Sequence, residues 1–310
     1  MRIFLAGATG AIGRPLVRML VADGHHVTGM TRSPEKSASL SEAGAEPVVA
    51  DALDAAAVSR AVAQAKPEAI VHQLTAIPER LDGRKIVRDF ALTDRLRTEG
   101  TRILIDAARA AGVERMIAQS IAFIYEPGPA GTIHMESDPL IADPPTQFKR
   151  TAAAVAELER AVLDFDGQVL RYGYFYGPGT AFSRAGAWGQ DIARRRLPIV
   201  GGGTGVWSFI HIDDAARATA AALGSATPGA YNIVDDEPAA VGEWIPALAD
   251  VLGAPRPMRV PAWLARPIAG AYGVRTMTQA QGASNALAKR ELGWRPSYAS
   301  WREGFRHGLG

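Results

Sequence analysis

The chain has 310 residues, 47% hydrophobic and 21% charged, enough apolar material for one large domain with an appended lobe or for two domains. Its 34 Lys+Arg and 32 Asp+Glu leave a net charge of +2. No stretch combines bases with aromatics as a nucleic-acid groove does, and Arg194-Arg195-Arg196 reads as a solvated helix end. The absence of cysteine excludes a disulfide framework, a thiolate metal site and a cysteine nucleophile. The first strand begins at residue 2, which leaves no room for a signal peptide, and no apolar run approaches the ~20 residues of a bilayer span. The expected address is the cytoplasm, with a small molecule rather than a membrane or nucleic acid as partner.

The opening stretch, MRIFLAGATGAIG, organises the rest. An apolar run from Ile3 to Ala6 stops at Gly7, Gly10 and Gly13 follow, and Arg14 to Leu20 reads as an amphipathic helix. A strand, a glycine-rich turn and a helix start in succession form an anion site, because the unpaired first-turn N–H groups and the positive end of the helix dipole point at whatever lies over the turn. The three glycines serve the tight turn, close approach of a phosphate and close packing of helix on strand. With strand–helix units repeating behind them, they mark a dinucleotide site contacted by Gly7, Thr9, Gly10, Ala11, Ile12 and Gly13.

A second strand over 26–31 ends at Thr31, where a site selecting NAD has a carboxylate for the ribose hydroxyls. Arg32 follows instead. A guanidinium grips a 2′-phosphate through paired hydrogen bonds, and Lys36 adds charge, which favours NADP over NAD. NAD stays open, since Arg32 reads equally as a surface arginine starting a loop. A third strand over 45–50 leads to Asp51, Ala52 and Leu53 on the adenine side, while Asp54 caps a helix over 55–65. A fourth strand over 69–74 presents Leu74, Thr75 and Ala76 to the cofactor, because ligands sit beyond the carboxyl ends of parallel strands. His72, inside that strand, reads as a packed core residue.

Residues 77–98 are polar. A helix over 98–111, a strand over 115–120, a proline-rich and mobile loop over 126–145, a helix over 147–163 and a strand over 168–172 follow, with Tyr172 and Gly173 at the cofactor. This alternation predicts an α/β fold, a Rossmann-type doubly wound parallel sheet with helices on both faces. After residue 176 the pattern loosens. Residues 180–207 read as irregular, a strand over 209–212 opens a helix over 215–223, a strand covers 230–234, and helices lie near 241–252 and 286–292. The dinucleotide domain is expected over 1–176, completed by about 208–235, with a small substrate lobe from 177–207 and 236–310.

Taken together, the sequence resembles the extended short-chain dehydrogenase/reductase family of the NAD-dependent epimerase/dehydratase type. The likeness rests on Gly7 through Gly13, on Asp51, on Leu170-Arg171-Tyr172 through Tyr176-Gly177-Pro178, on Trp207 through Ala215 and on Ala288 through Pro296. It implies a nicotinamide cofactor and a homodimer through the helices over 98–111 and 147–163. It also implies a Ser or Thr after the fifth strand and a Tyr-x-x-x-Lys on the next helix. Here the Ser slot falls on Ile121, one residue after Ser120, and Gln147 and Thr151 stand in the Tyr and Lys slots. Lys149, two residues from the Lys slot, is turned about 160° around the helix and faces away. The chain thus reads as an atypical member without the usual acid–base pair.

Candidates for the missing proton work are Tyr125, Ser120 and Gln147; glutamine does not titrate, but it can hold a carbonyl oxygen or orient a water. A tyrosine of ordinary pKa ~10 needs a cationic neighbour to act near neutral pH. Tyr174, Trp188 and Trp207 are expected in the substrate pocket, although the two tryptophans read equally as core of the small lobe. His134 and His211 read as structural. The expected activity is NADP(H)-dependent hydride transfer to a small carbonyl or alkene. The alternatives are a non-redox isomerase, lyase or cyclase with a structural nucleotide, and a silent nucleotide sensor.

Overall fold

The computed structural model describes residues 1–80 and 85–310. Seven parallel strands form the central sheet: β1 (Arg2–Ala6), β2 (His26–Thr31), β3 (Glu46–Val49), β4 (Ala69–His72), β5 (Arg115–Ile121), β6 (Gln168–Tyr172) and β7 (Gly229–Ile233). Their spatial order is β3-β2-β1-β4-β5-β6-β7. Ile3 stands beside Val27 on one side and Ala69 on the other. The winding therefore reverses between β1 and β4, and the crevice beyond their carboxyl ends is where such sheets take ligands. The central strands are continuous apolar runs because both faces are covered.

Against one face pack α1 (Gly13–Ala22) and α8 (Ile212–Gly224), through Leu16, Val17, Leu20, Ala215 and Ala218. Against the other pack α3 (Ala55–Ala65), α5 (Thr101–Ala110) and α6 (Lys149–Leu163), through Val58, Val62, Leu104, Leu158 and Val162. The short α2 (Ser37–Glu42) closes the β2–β3 crossover. Asp54 caps α3 as expected, accepting from the Ala57 N–H at 3.0 Å.

The polar stretch over 77–98, to which the sequence reading assigns no element, holds a helix. Residues 81–84 lie outside the described residues, but α4 (Ile86–Arg95) runs through a π-helical segment, Leu96–Gly100, directly into α5. Its polar face is what solvent sees; Ile86, Thr93 and Leu96 point inward. The loop over 126–145 is also tied down. The Gln281 side chain accepts from the Gly128 N–H at 2.7 Å and donates to the Gly128 and Pro129 carbonyls at 2.8 and 2.6 Å.

The remaining helices are α7 (Ala187–Ala193), α9 (Val241–Val251), α10 (Ala262–Gln279), α11 (Ala286–Glu291) and α12 (Trp301–His307). Of these, α7, α9, α10 and α12 build a lobe around Phe182, Trp207, Phe209, Trp244, Trp301 and Phe305, while α11 packs on the sheet core beside β7 through Leu287 and Ala288. A buried carboxylate ties the tail back to α8: Asp214 accepts from the Ser297 and Tyr298 N–H groups at 2.7 and 3.1 Å. The irregular reading of 180–207 misses α7. The sequence reading also passes over α10, whose helical path breaks at Gly270 (φ 71°) and contains Pro267. Among the described residues, no helix is long and apolar enough to cross a membrane.

Candidate active site

The turn after β1 has the form its glycines predict. Gly7 has φ +92° and lies so close to β4 that a Cβ there would stand 2.7 Å from the Gln73 carbonyl oxygen. A Cβ on Gly13 would stand 2.2 Å from the Gly7 oxygen, so the start of α1 fits against the turn only as glycine. Ile12 provides no side-chain cap, and no acidic residue lies in the first turn of α1. Gly10 and Ala11 are exposed over it, Thr9 is half-buried, and Ile12 and Gly13 are buried beneath. An uncapped helix start over an open glycine turn fits the pyrophosphate of a dinucleotide.

Around this turn the other expected contacts are spread in chain order. The Thr31 hydroxyl approaches that of Thr9 at 3.4 Å and accepts from the Ser33 N–H at 3.2 Å, and Arg32 projects into solvent. Asp51 is exposed and folds back to accept from the Leu53 N–H at 3.0 Å; Ala52 is buried against α3, and Leu53 is half-buried. At the end of β4, Leu74 and Ala76 are half-buried and Thr75 is exposed. The Leu74 N–H donates to His72 Nδ1 at 3.2 Å and the Ala76 N–H to Thr93 at 3.0 Å. His72 is core: its Nε2 bonds Thr101 at 3.0 Å, and burial pushes its pKa down to about 4.

Two expected cofactor contacts turn elsewhere. The Tyr172 side chain lies in the core under α8, its hydroxyl bonded to Thr219 at 2.6 Å and Gln73 at 3.2 Å. Gly173 packs on the Ser208 carbonyl, which a Cβ would meet at 2.5 Å.

Ser120 and Tyr125 are likewise drawn inward, against the expectation that they face the cleft. Ser120 is 1% exposed and donates to Glu159 at 2.5 Å. Glu159 is clamped by Arg171, Nε to Oε1 at 3.0 Å and Nη2 to Oε2 at 2.6 Å. Arg171 Nη1 donates to the Tyr125 hydroxyl at 2.9 Å, and that hydroxyl donates to Asn232 Oδ1 at 2.6 Å. The Tyr125 ring stacks on His134 at 4.8 Å, and burial pushes its hydroxyl up to about 12. His134 and His211 are structural: His134 bonds Asp138 and Gln281 at 2.9 and 3.0 Å, and His211 bonds the Gly308 carbonyl at 2.9 Å. Ser120 and Tyr125 belong to a buried, charge-assisted network that joins β5, β6, β7 and α6.

What opens beside the end of β5 is instead an aromatic wall. Tyr174 lies between Phe123 at 4.5 Å and Trp207 at 4.0 Å, both stacked on it. With Ala122, Val206, Ser208, Ala280 and Gln281 these rings line a small crevice. Trp207 is also part of the lobe core, 5.1 Å from Trp244, and Trp188 stands behind it at 5.8 Å. At the head of α6, Phe148 stacks on Tyr272 at 4.5 Å, and Gln147 accepts from the Tyr272 N–H at 3.3 Å. Thr151 is buried and donates to Asp94 at 3.2 Å, while Lys149 and Arg150 are exposed.

Phe123, Phe148 and Tyr272 pack beside the predicted residues Tyr174 and Gln147, and the sequence reading does not single them out. Arg97, on the π-helical segment, is 3% exposed, and burial pulls its pKa down to about 10. A larger groove, about 280 Å³, lies between α5 and α6 and shares no lining residue with this crevice; Arg97, Arg102, Arg109, Glu157 and Arg160 line it. Among the described residues no group of acidic and histidine side chains could hold a metal ion.

The sequence profile of the NAD dependent epimerase/dehydratase family matches residues 3–234. A 3-diazoavenalumate denitrifying reductase from a Streptomyces species is 47% identical over 313 aligned residues, covering 98% of this chain and 99% of that protein. The UDP-glucose 4-epimerase of Mycolicibacterium smegmatis is 27% identical over 96% of this chain and 95% of its own. Among solved structures, the UDP-glucose 4-epimerase of Thermotoga maritima with UDP-glucose superposes with a TM-score of 0.80 at 20% identity, covering 100% of this chain and 97% of that one. A human epimerase-family protein with NADPH superposes at 0.76 and 20% identity, covering 100% and 99%.

Proposed function

Because the chain belongs to the NAD dependent epimerase/dehydratase family and is an NAD(P)-dependent enzyme of the oxidoreductase type, we propose that it is an NADP(H)-dependent reductase of a small aromatic acceptor. The acceptor is a carbonyl, a conjugated alkene or, as the name of the Streptomyces relative suggests, a diazo compound. The observation that carries this reading is the uncapped glycine turn at the switch point of the sheet, set beside a crevice walled by Phe123, Tyr174 and Trp207.

In this reading Gly7, Thr9, Gly10, Ala11, Ile12 and Gly13 hold the pyrophosphate. Arg32 takes the 2′-phosphate, Asp51 with Ala52 and Leu53 borders the adenine, and Leu74, Thr75 and Ala76 border the inner part of the cofactor. The reduced nicotinamide supplies a hydride when bound, and the chain supplies placement and exclusion of water. The free face of Phe123 and the edge of Tyr174 orient an aromatic acceptor, with Trp207 backing Tyr174 and Trp188 behind it. With its Oε1 engaged by Tyr272, the Gln147 amide has only N–H donors to offer, which suits an oxygen that gains negative charge during reduction. Ser120 and Tyr125 hold the strands in place and take no part in the chemistry.

The test is to incubate the protein with NADPH and a panel of aromatic ketones, enones and aromatic diazo compounds, following the reduced-nicotinamide absorbance and the products. NADPH consumption matched by reduced product, slower with NADH, supports the proposal. Tight NADPH binding with no consumption across the panel, alongside isomerised or dehydrated product, would replace it with the non-redox reading.

A further inference from the structure

We propose that Tyr272 is the catalytic proton donor of this site and Arg97 its positioning cation, together standing in for the pair absent from positions 147 and 151. The proposal rests on the reductase reading above and adds to it the source of the proton.

Tyr272 is delivered by the lobe. It follows the break at Gly270 in α10, and two contacts fix it over the head of α6: its ring stacks on Phe148 at 4.5 Å with an interplanar angle of 16°, and its backbone N–H reaches Gln147 Oε1. It thus stands against the very residue that occupies the tyrosine slot.

Arg97 approaches the same place from below. It is a buried guanidinium with an unspent donor: Nη1 has no hydrogen-bond partner among the described residues. The nearest anion, Asp94 Oδ1, is 3.9 Å away, beyond hydrogen-bond range, and is itself unpartnered. The other oxygen of Asp94 takes the Thr151 hydroxyl at 3.2 Å. The cation therefore lies across Asp94 from Thr151, beside the slot that lacks a lysine. It sits on a π-helical segment, a feature frequent at functional sites.

Placing a buried, under-bonded guanidinium there is costly unless it has work to do. Its charge acts on the Tyr272 hydroxyl, pulling down a pKa that burial raises. The charged and titratable groups that act on this pair are Asp94 from α4, Glu159 from α6, His72 from β4 and Tyr174 from the aromatic wall, with Arg150 of α6 acting on Asp94. The other tyrosines are less suited. Tyr174 has both ring faces covered and no cation acting on it, and the Tyr125 hydroxyl is already given to Asn232.

The proton balance is simple. Burial keeps Tyr272 protonated at neutral pH, the form a reduction requires. As the acceptor carbon gains a hydride, the oxygen that receives the displaced electron pair takes the proton from Tyr272 Oη. The phenol O–H bond breaks, Arg97 offsets the phenolate charge, and water restores the proton afterwards.

The expected result for Tyr272→Phe is a loss of kcat of about 100-fold or more, with NADPH affinity within about twofold of wild type. Arg97→Gln should lose about tenfold in kcat, and Arg97→Lys should recover part of it. The double variant Asp94→Asn with Arg97→Gln removes both buried charges and guards against a folding defect. A readout independent of turnover is Tyr272→3,5-difluorotyrosine, whose ionisation is followed by fluorine NMR; adding Arg97→Gln should move that titration to higher pH. Unchanged kcat in Tyr272→Phe, or a titration insensitive to Arg97, overturns the proposal. An Arg97-dependent titration in a chain that reduces nothing on the panel supports the pairing and overturns the reductase reading instead.

Discussion

Tyr125→Phe separates the structural from the catalytic reading of the residues behind β5. In the folded chain the Tyr125 hydroxyl accepts from Arg171 Nη1 at 2.9 Å and donates to Asn232 Oδ1 at 2.6 Å. Removing it leaves Arg171 Nη1 with the Glu136 carbonyl at 3.2 Å and takes from Asn232 Oδ1 its tyrosine donor. One lost bond is charge-assisted and one is neutral, so the cost is about 2–4 kcal/mol, a large share of the roughly 5–15 kcal/mol that holds a domain folded. The ring remains stacked on His134, so no cavity adds to this. Urea unfolding should show a lower midpoint at unchanged slope, while kcat per folded molecule stays within about twofold. The companion Glu159→Gln should cost more, about 3–5 kcal/mol, because it leaves the Arg171 charge buried without its anion. A drop in kcat of about 100-fold with an unmoved midpoint would refute the network reading and return the proton to Tyr125.

Three further outcomes follow from the turn, the loop after β2 and the core. Gly13→Ala puts a methyl 2.2 Å from the Gly7 oxygen; the turn must shift, and calorimetry should show about 100-fold weaker NADPH binding and about 1–3 kcal/mol lost stability, whereas Gly10→Ala, 3.2 Å from the same oxygen, should be far milder. Arg32→Ala should weaken NADPH by about tenfold or more through loss of a charge-assisted bond and leave NADH nearly unchanged; equal losses would refute the phosphate grip. His72 is neutral in the fold because burial lowers its pKa from 6.5 to about 4. The unfolded chain therefore binds the proton first as pH falls, so the stability His72 contributes is complete above about 6.5 and is lost on descending through about 4. It amounts to roughly 3 kcal/mol, and His72→Gln should flatten that part of the acid unfolding curve.

The parallel sheet is legible in the sequence because its strands are buried on both sides and so appear as unbroken apolar runs: Ile3 to Ala6, Ala69 to Val71 and Val169 to Leu170 all lie in the core. The glycine turn is legible for the opposite reason, since only a close approach of backbone to backbone demands glycine at both 7 and 13. What escapes is whatever depends on a partner distant in the chain. Ser120 and Tyr125 have the side chains and the position after β5 that suggest chemistry, but Glu159 and Arg171 claim them first. The helix α4 hides behind its solvated polar face. The helix α10 hides behind Pro267, Gly270 and Gly273, which erase the helical period that would announce it.

The same blindness to distant partners explains why the candidate acid–base pair is not visible at positions 147 and 151. A tyrosine and a lysine one turn apart on one helix form a local device, readable from spacing alone. Tyr272 and Arg97 come from the lobe helix and from the connection between α4 and α5, and only the seated lobe brings both to the first turns of α6. Phe148 and Gln147 fix one partner there; Asp94 and Thr151 stand beside the other. A proton donor carried by the lobe couples chemistry to lobe seating. Substitutions that unseat α10 without touching the crevice, such as Phe148→Ala, should therefore lower kcat while leaving NADPH affinity, which the turn after β1 provides, close to wild type. Equal loss of both would mean that the lobe and the nucleotide site respond as one unit, and would remove the reason for placing the proton donor on α10.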